Sequence, residues 1–215
     1  MSAGQNRGVT RTPGDAAPPE QSFSLDHFIG LYEAKDDPWD NATKWSDQRK
    51  YSVAMASLPR ERYRRCYEPG CAVGRLSVLL AGRCDEVLAA DCVDEAVAQA
   101  RATTAALPNV QVERALLPAE LPDGAFDLIV IGDLLYYLSA DDLRVMLDGT
   151  VARLEDGGDL LVVHFRDREN PGNYDGFNVH AVIAARPGLD RVIHHEDEWF
   201  VLDVFRKNSI TGHCG

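Results

Sequence analysis

No apolar run in this 215-residue chain approaches the roughly 18 residues that a membrane helix needs, and the polar first 20 residues lack a signal peptide's apolar centre. Both absences predict a soluble, cytoplasmic protein with no membrane partner. Positive charge is scarce too: 22 basic residues stand against 34 acidic ones, a formal net charge of -12, and the one basic cluster is the short RERYRR at Arg60 to Arg65. Such a surface repels a phosphate backbone, which argues against nucleic acid as a partner. The cysteines are few, odd in number (66, 71, 84, 92 and 214) and without C-x-x-C pairs. Reduced, mostly buried thiols are expected. His194-His195 with Glu196 and Asp197 reads as a solvated turn, so no metal is assigned. No internal repeat is visible.

What is present suits one globular domain. Hydrophobic residues make up 45% of the chain and charged ones 26%, enough for a single sizeable core. Residues 1–21 are rich in Gly, Pro and small polar residues and are expected to be a disordered tail. Residues 22–58 are expected to form an N-terminal helical element, with one helix from Phe23 to Ala34, a break at Pro38 and a second helix from Thr43 to Ser57. Tyr51, Ala54, Met55 and Leu58 recur at helical spacing on that second helix, with Trp45, Gln48 and Arg49 on another side. Residues 59–207 are the core and 208–215 a C-terminal tail.

Within the core, strands are predicted near 64–68, 86–91, 110–114, 126–131, 158–165, 189–194 and 199–206. Helices are predicted near 74–82, 94–106, 140–154 and 177–186. Leu143, Met146, Leu147, Val151 and Leu154 form one stripe of the helix at 140–154, which Gly157-Gly158 is expected to end. Alternating strand and helix predicts an α/β fold: a Rossmann-like, doubly wound sheet of seven mostly parallel strands covered on both faces. Residues 189–206 pair two strands with no helix between, which makes the last strand antiparallel.

The stretch CYEPGCAVGRLSVLL joins the first of these strands to its helix through a glycine turn. Backbone N–H groups and a positive helix end therefore gather at the carboxyl edge of that strand, where open parallel sheets bind ligands. The dinucleotide fingerprint needs G-x-G-x-x-G, but here Ala72 and Arg75 interrupt it, which disfavours a nicotinamide cofactor. Asp91 follows 17 residues after Gly74, at the end of EVLAAD. A carboxylate there accepts hydrogen bonds from both hydroxyls of a ribose. The expected ligand is a nucleoside with little or no phosphate.

The segments YEPGCAVGRL, VLAAD, FDLIVIGDLLYYL and LEDGGDLLVVHF are similar, in order and spacing, to the successive motifs of class I S-adenosylmethionine-dependent methyltransferases, over about residues 60–206. KDDPWDNATKWSDQRKYSVAMASLP, with EPGC after it and HFR after the fifth strand, resembles more narrowly the nodulation-protein-S-like N-methyltransferases. The resemblance implies S-adenosylmethionine as methyl donor, S-adenosylhomocysteine as product and a small-molecule acceptor, amino sugars being the family's substrate class. It implies that Glu68 faces the methionine amino group, that Gly70, Cys71 and Gly74 frame the donor, and that Asp91 binds its ribose. Cys92 and Leu116 or Leu117 would contact the adenine, and Asp133 and Leu134 would close over the sulfur end. Trp39, Trp45 and Arg49 belong to the N-terminal helical element of residues 22–58, which in this family acts as a lid, and the resemblance would place Arg49 within reach of the donor's carboxylate. Ala72 departs from the family's more usual glycine.

Each assignment has a plainer reading beside it. Asp91 also reads as a helix cap before VDEA, the two tryptophans as packing, Arg49 as a solvated face and Tyr136-Tyr137 as simple wall. An amine must be neutral to attack, so a base near it would take its proton. Asp133 and His164 are the candidates, with Tyr136 or Tyr137 as orienting hydroxyls, although His164 also suits a satisfied buried histidine. Transfer to oxygen or carbon, a nicotinamide-dependent oxidoreductase and a non-catalytic nucleoside-binding protein are the alternative functions. Sequence leaves the oligomeric state open.

Overall fold

The computed structural model describes residues 16–167 and 173–209. Most of the tail expected at 1–21, and residues 210–215 of the one expected at 208–215, with Cys214, lie outside that range. Two helices come first, α1 (Leu25–Ala34) and α2 (Trp45–Ala56). There follow β1 (Tyr63–Pro69), α3 (Arg75–Ala81), β2 (Cys84–Asp91), α4 (Asp94–Thr104), β3 (Val110–Arg114) and β4 (Phe126–Gly132). A 3-10 turn at Leu135–Tyr137 leads into α5 (Ala140–Arg153), β5 (Leu154–Phe165), α6 (Gly176–Ala184), β6 (Leu189–Glu196) and β7 (Phe200–Lys207). The seven strands form one sheet in the order β3-β2-β1-β4-β5-β7-β6. All neighbouring pairs from β3 to β5 are parallel, while β7 runs antiparallel to both β5 and β6. This is the expected Rossmann-like sheet.

Phe126 to Ile131 of β4 are all buried, as befits a central strand covered on both faces. One core cluster joins Ile129, Ile131, Met146, Leu147 and Leu160, and another joins Leu128, Leu161, Leu80, Tyr63 and Ala54 of α2. Helix α2 is thus pinned to the sheet by Ala54, while α1 packs Tyr32 against Val73, Val93 and Ala96. The end of α5 differs from expectation. The helix stops at Arg153, and Leu154, instead of closing its stripe, begins β5 opposite Phe126. Pairing and burial of Leu154 outweigh its helical periodicity, and Gly157 lies within the irregular start of the strand at φ 73°. Cys66, Cys71 and Cys84 are buried free thiols and Cys92 is half-buried. Among the described residues no helix is long and apolar enough to cross a membrane.

Candidate active site

Order reversal between β1 and β4 opens a crevice at the carboxyl ends of the central strands. A cavity of about 430 Å³ occupies it, within the range of small-molecule sites. Its floor includes Glu68, Gly70, Cys71 and Ala72 after β1, Asp91 and Cys92 after β2, and Gly132, Asp133 and Leu134 after β4. Phe28 and Tyr32 of α1, Trp39, and Asp47 and Lys50 of α2 also line it.

The glycine turn needs its unusual backbone. Gly70, Ala72 and Gly74 all have positive φ, at 73°, 49° and 79°. Gly70 and Cys71 donate their N–H groups to the Ala90 carbonyl at 2.7 and 2.9 Å, which ties the turn to β2. Gly74 does not line the cavity. It lets α4 approach, since a Cβ there would come within 3.1 Å of Ala100 Cα. Ala72 takes a left-handed conformation that alanine adopts at a cost of about 1–2 kcal/mol.

Three carboxylates stand along the floor, Glu68 buried and Asp91 and Asp133 half-buried. Glu68 is 2% exposed, accepts a 2.6 Å hydrogen bond from Ser77 Oγ, and is pushed up to about 8 mainly by burial, with Asp91 adding to the shift against the hydroxyl's pull. Asp91 accepts the Ala72 N–H at 2.9 Å and the Val93 N–H at 3.2 Å. Burial raises its pKa while those donors oppose the shift. It thus supports the start of α4 and lines the cavity at once. The third, Asp133, follows β4 in a left-handed conformation (φ 48°). Its Oδ1 accepts the Phe165 N–H at 2.7 Å and the Tyr136 hydroxyl at 3.2 Å, and its Oδ2 accepts from the Lys50 ammonium. Burial raises its pKa, but Lys50 and then His164 outweigh that and hold it below the usual carboxylate range. An ionised carboxylate with both oxygens engaged is a firm hydrogen-bond acceptor and a weak base.

Several expected residues stand elsewhere. Trp45 is 74% exposed and lies off the cavity wall. Arg49 forms a 2.5 Å ion pair with Asp197 and lies over the Phe200 ring, also off the wall. His164 is fully buried behind the wall. Its Nε2 accepts the Leu135 N–H at 3.2 Å, and its Nδ1 lies 3.1 Å from His180 Nε2. Trp39, Leu116, Leu117, Leu134, Tyr136 and Tyr137 do line the cavity.

Sequence reasoning missed Tyr32, Asp47 and Lys50. Asp47, Lys50 and Ala54 share one face of α2 at i, i+3 and i+7, and all are buried. That spacing was available as a signal, though two charges on the inner face disguise it. Lys50 bonds Asp47 Oδ1 at 2.7 Å as well as Asp133. Burial lowers its pKa, yet Asp133 more than reverses this, so it remains an ammonium. Tyr32 tests the fit of an adenosine-bearing donor. Its hydroxyl is buried without a hydrogen-bond partner, in an environment where burial first and then Asp91 raise its pKa. An orphaned phenol beside a carboxylate suits ribose hydroxyls, so the donor set fits.

Sheet, glycine turn and crevice together define the class, a Rossmann-like methyltransferase fold. A Pseudomonas syringae protein of solved structure, described as a methyltransferase, is 40% identical to this chain, with a TM-score of 0.69 over 76% of this chain and all of that one. The N-methyltransferase NodS of Bradyrhizobium japonicum WM9, solved with S-adenosyl-L-homocysteine, shares the fold at a TM-score of 0.75 and 23% identity, covering 85% of this chain and 98% of its own. The particular family follows from the sequence match: residues 30–184 fit the model of Nodulation protein S (NodS), and the chain belongs to that family. Nodulation protein S of Rhizobium tropici is 27% identical over 136 residues, 62% of this chain. The match spans 57% of that relative's length.

Proposed function

We propose that this protein transfers the methyl group of S-adenosylmethionine to the amine of a small polar acceptor, amino sugars being the first candidates. The observation that carries the reading is the row Glu68, Asp91 and Asp133, one buried and two half-buried carboxylates set along one cavity at the ends of β1, β2 and β4. Family membership supports the same activity.

The donor supplies an electrophilic methyl on a sulfonium, open to in-line attack. Glu68 receives the donor's ammonium. Asp91 and Tyr32 take the ribose hydroxyls, while Cys92, Leu116 and Leu117 flank the adenine. Gly70, Cys71 and Leu134 frame the chain between. Trp39 and the aromatic edges of Phe28 and Tyr137, whose ring centroids are 5.2 Å apart, exclude water above it. Asp133 accepts the acceptor's N–H and turns its lone pair toward the methyl, with Tyr136 and Lys50 fixing the carboxylate. Asp133 acts here by orientation rather than as a base, so catalysis rests chiefly on proximity. A cytoplasmic setting belongs to the same reading, as does a lid made of residues 22–58.

Mass spectrometry of the purified protein is expected to find retained S-adenosylhomocysteine. Incubation with labelled S-adenosylmethionine and glucosamine or its short oligomers is expected to give an N-methylated product. If the donor fails to bind at millimolar concentration, the reading is wrong. Binding with label appearing only on oxygen would replace the amine by a hydroxyl acceptor.

A further inference from the structure

Behind the cavity wall lies a chain of buried imidazoles and a carboxylate that the proposed mechanism does not use. Leu135, fully buried, donates its N–H to His164 Nε2 at 3.2 Å. His164 Nδ1 faces His180 Nε2 at 3.1 Å, and His180 Nδ1 faces Asp203 Oδ2 at 2.7 Å. Asp203 Oδ1 in turn lies 2.7 Å from His194 Nδ1, the half-exposed end of the series, and 3.7 Å from an Arg191 nitrogen. Four elements supply these groups, β5, α6, β7 and β6. His164 and Asp203 have no exposed surface and His180 is 3% exposed.

Elementary donor and acceptor counting sets the proton positions. The Leu135 amide opens a 3-10 turn, so it has no partner within that turn, and a buried N–H left unpaired is costly. His164 Nε2 must therefore be the bare, accepting nitrogen, and a neutral ring then carries its proton on Nδ1. That proton points at His180 Nε2, which must accept it, leaving the His180 proton on Nδ1 to meet Asp203. Only an acceptor at the far end satisfies every member. If the order reversed, His164 would aim an N–H at the N–H of Leu135 with no water between. Burial, and then His180, keep His164 neutral, in agreement with this order. The geometry is built to close tolerance: a Cβ on Gly176, at the start of α6, would fall 2.7 Å from His164 Cβ.

What the series holds is the turn after β4. Asp133 and Leu134 lie just before Leu135, and Tyr136 and Tyr137 just after it, and all four line the cavity. The Tyr136 ring also packs edge-on against His164, with centroids 5.5 Å apart. Asp133 keeps a left-handed backbone there, which persists only where its surroundings hold it.

We propose that His164, His180 and Asp203 are positioning residues for methyl transfer: Asp203 sets the tautomers of both histidines, and His164 thereby anchors the Leu135 amide and the turn that presents Asp133 and Tyr136 to the acceptor. The inference rests on the proposed transferase reading for its kinetic consequence and on geometry alone for the tautomers.

Nitrogen-15 spectra of the histidine side chains at neutral pH test the tautomers directly, and both His164 and His180 are expected to carry the proton on Nδ1. Two pairs of variants test the rest. His164→Leu and Asp203→Leu remove an acceptor and are expected to speed Leu135 amide exchange by about tenfold or more. With glucosamine as acceptor they lower kcat on the order of ten- to hundredfold, with a much smaller change in S-adenosylhomocysteine affinity. His164→Gln and Asp203→Asn keep a donor and an acceptor in place, and each is expected to recover most of what its leucine counterpart loses. Equal loss of kcat in His164→Gln and His164→Leu would overturn the proposal in favour of a basic imidazole. A proton on His164 Nε2 in the wild type overturns it too, and that measurement decides even where a leucine variant does not fold. A wild type that methylates no amine sinks the amine-transferase reading, while the tautomers and the Leu135 exchange rate still decide this one.

Discussion

Asp91 is asked to hold two backbone amides and a ribose with one carboxylate, which makes it the most informative residue to remove. Asp91→Ala is expected to weaken S-adenosylmethionine binding by about 1.5–3 kcal/mol, on the order of ten- to hundredfold, in a protein that still folds. Calorimetry on the folded variant checks this, and unchanged affinity would leave Asp91 as a support for α4 alone. Glu68 carries a pH prediction. Its carboxyl titrates at about 8 before the donor binds, and a neighbouring ammonium pulls it down, so binding releases a proton at pH below that value. Affinity should therefore climb as pH rises toward about 8, and calorimetry in buffers of different ionisation heat should register the released proton. Glu68→Gln is expected to bind more weakly and to lose that pH dependence. A wild type with flat affinity between about pH 6 and 8 would show that Glu68 does not meet the ammonium. These two carboxylates were legible in the sequence because their signal is positional: each ends a strand beside a turn whose glycine spacing or following helix marks the edge of the sheet.

Helices α1 and α2 are the element on which the cavity's roof depends. Beginning the chain at Ser22 is expected to leave donor affinity and melting temperature unchanged, because Ser22 still holds the Ser139 N–H at 2.9 Å and Phe23 the Tyr137 carbonyl at 2.9 Å. Beginning it at Trp45 removes Phe28, Tyr32 and Trp39 from the wall but keeps Ala54 and Leu58 in the core. S-adenosylhomocysteine affinity should then fall about tenfold or more, as measured by calorimetry, and equal affinity in the two truncations would show that these helices are not a roof. That two helices stand here is readable from periodicity and from Pro38. Which side of α2 meets the cavity is not. Successive residues of a helix point about 100° apart, so an error of one residue in its phase exchanges Arg49 for Lys50. The stripe of Tyr51, Ala54, Met55 and Leu58 does pack on the core, and it is the pairing of the neighbouring Lys50 with Asp133 that turns Lys50 rather than Arg49 to the cavity.

Across the whole molecule, the sheet and the ligand share one stability. Saturating S-adenosylhomocysteine at about 100 times its dissociation constant should add about 2.7 kcal/mol, visible as a higher melting temperature. Leu161→Ala, in the middle of β5 with no exposed surface, should remove about 2–5 kcal/mol and lower the midpoint of chemical denaturation. A ligand-independent melting temperature would separate the cavity from the fold, and a smaller loss at Leu161 would mean that β5 repacks. By itself the sequence determined the alternation of strands and helices, the glycine turn, the acidic residues at strand ends and the antiparallel finish, since each is written in local periodicity or in a backbone that only certain residues adopt. The tertiary structure alone decided that Leu154 begins a strand, that Lys50 and not Arg49 reaches the cavity, and that His164 turns away from it. Those outcomes depend on groups distant in the chain: Phe126 opposite Leu154, Asp133 opposite Lys50, and His180 and Asp203 behind His164. A side chain's partners across a fold leave no periodic trace at its own position, because burial and hydrogen bonding are settled only when separate elements pack together.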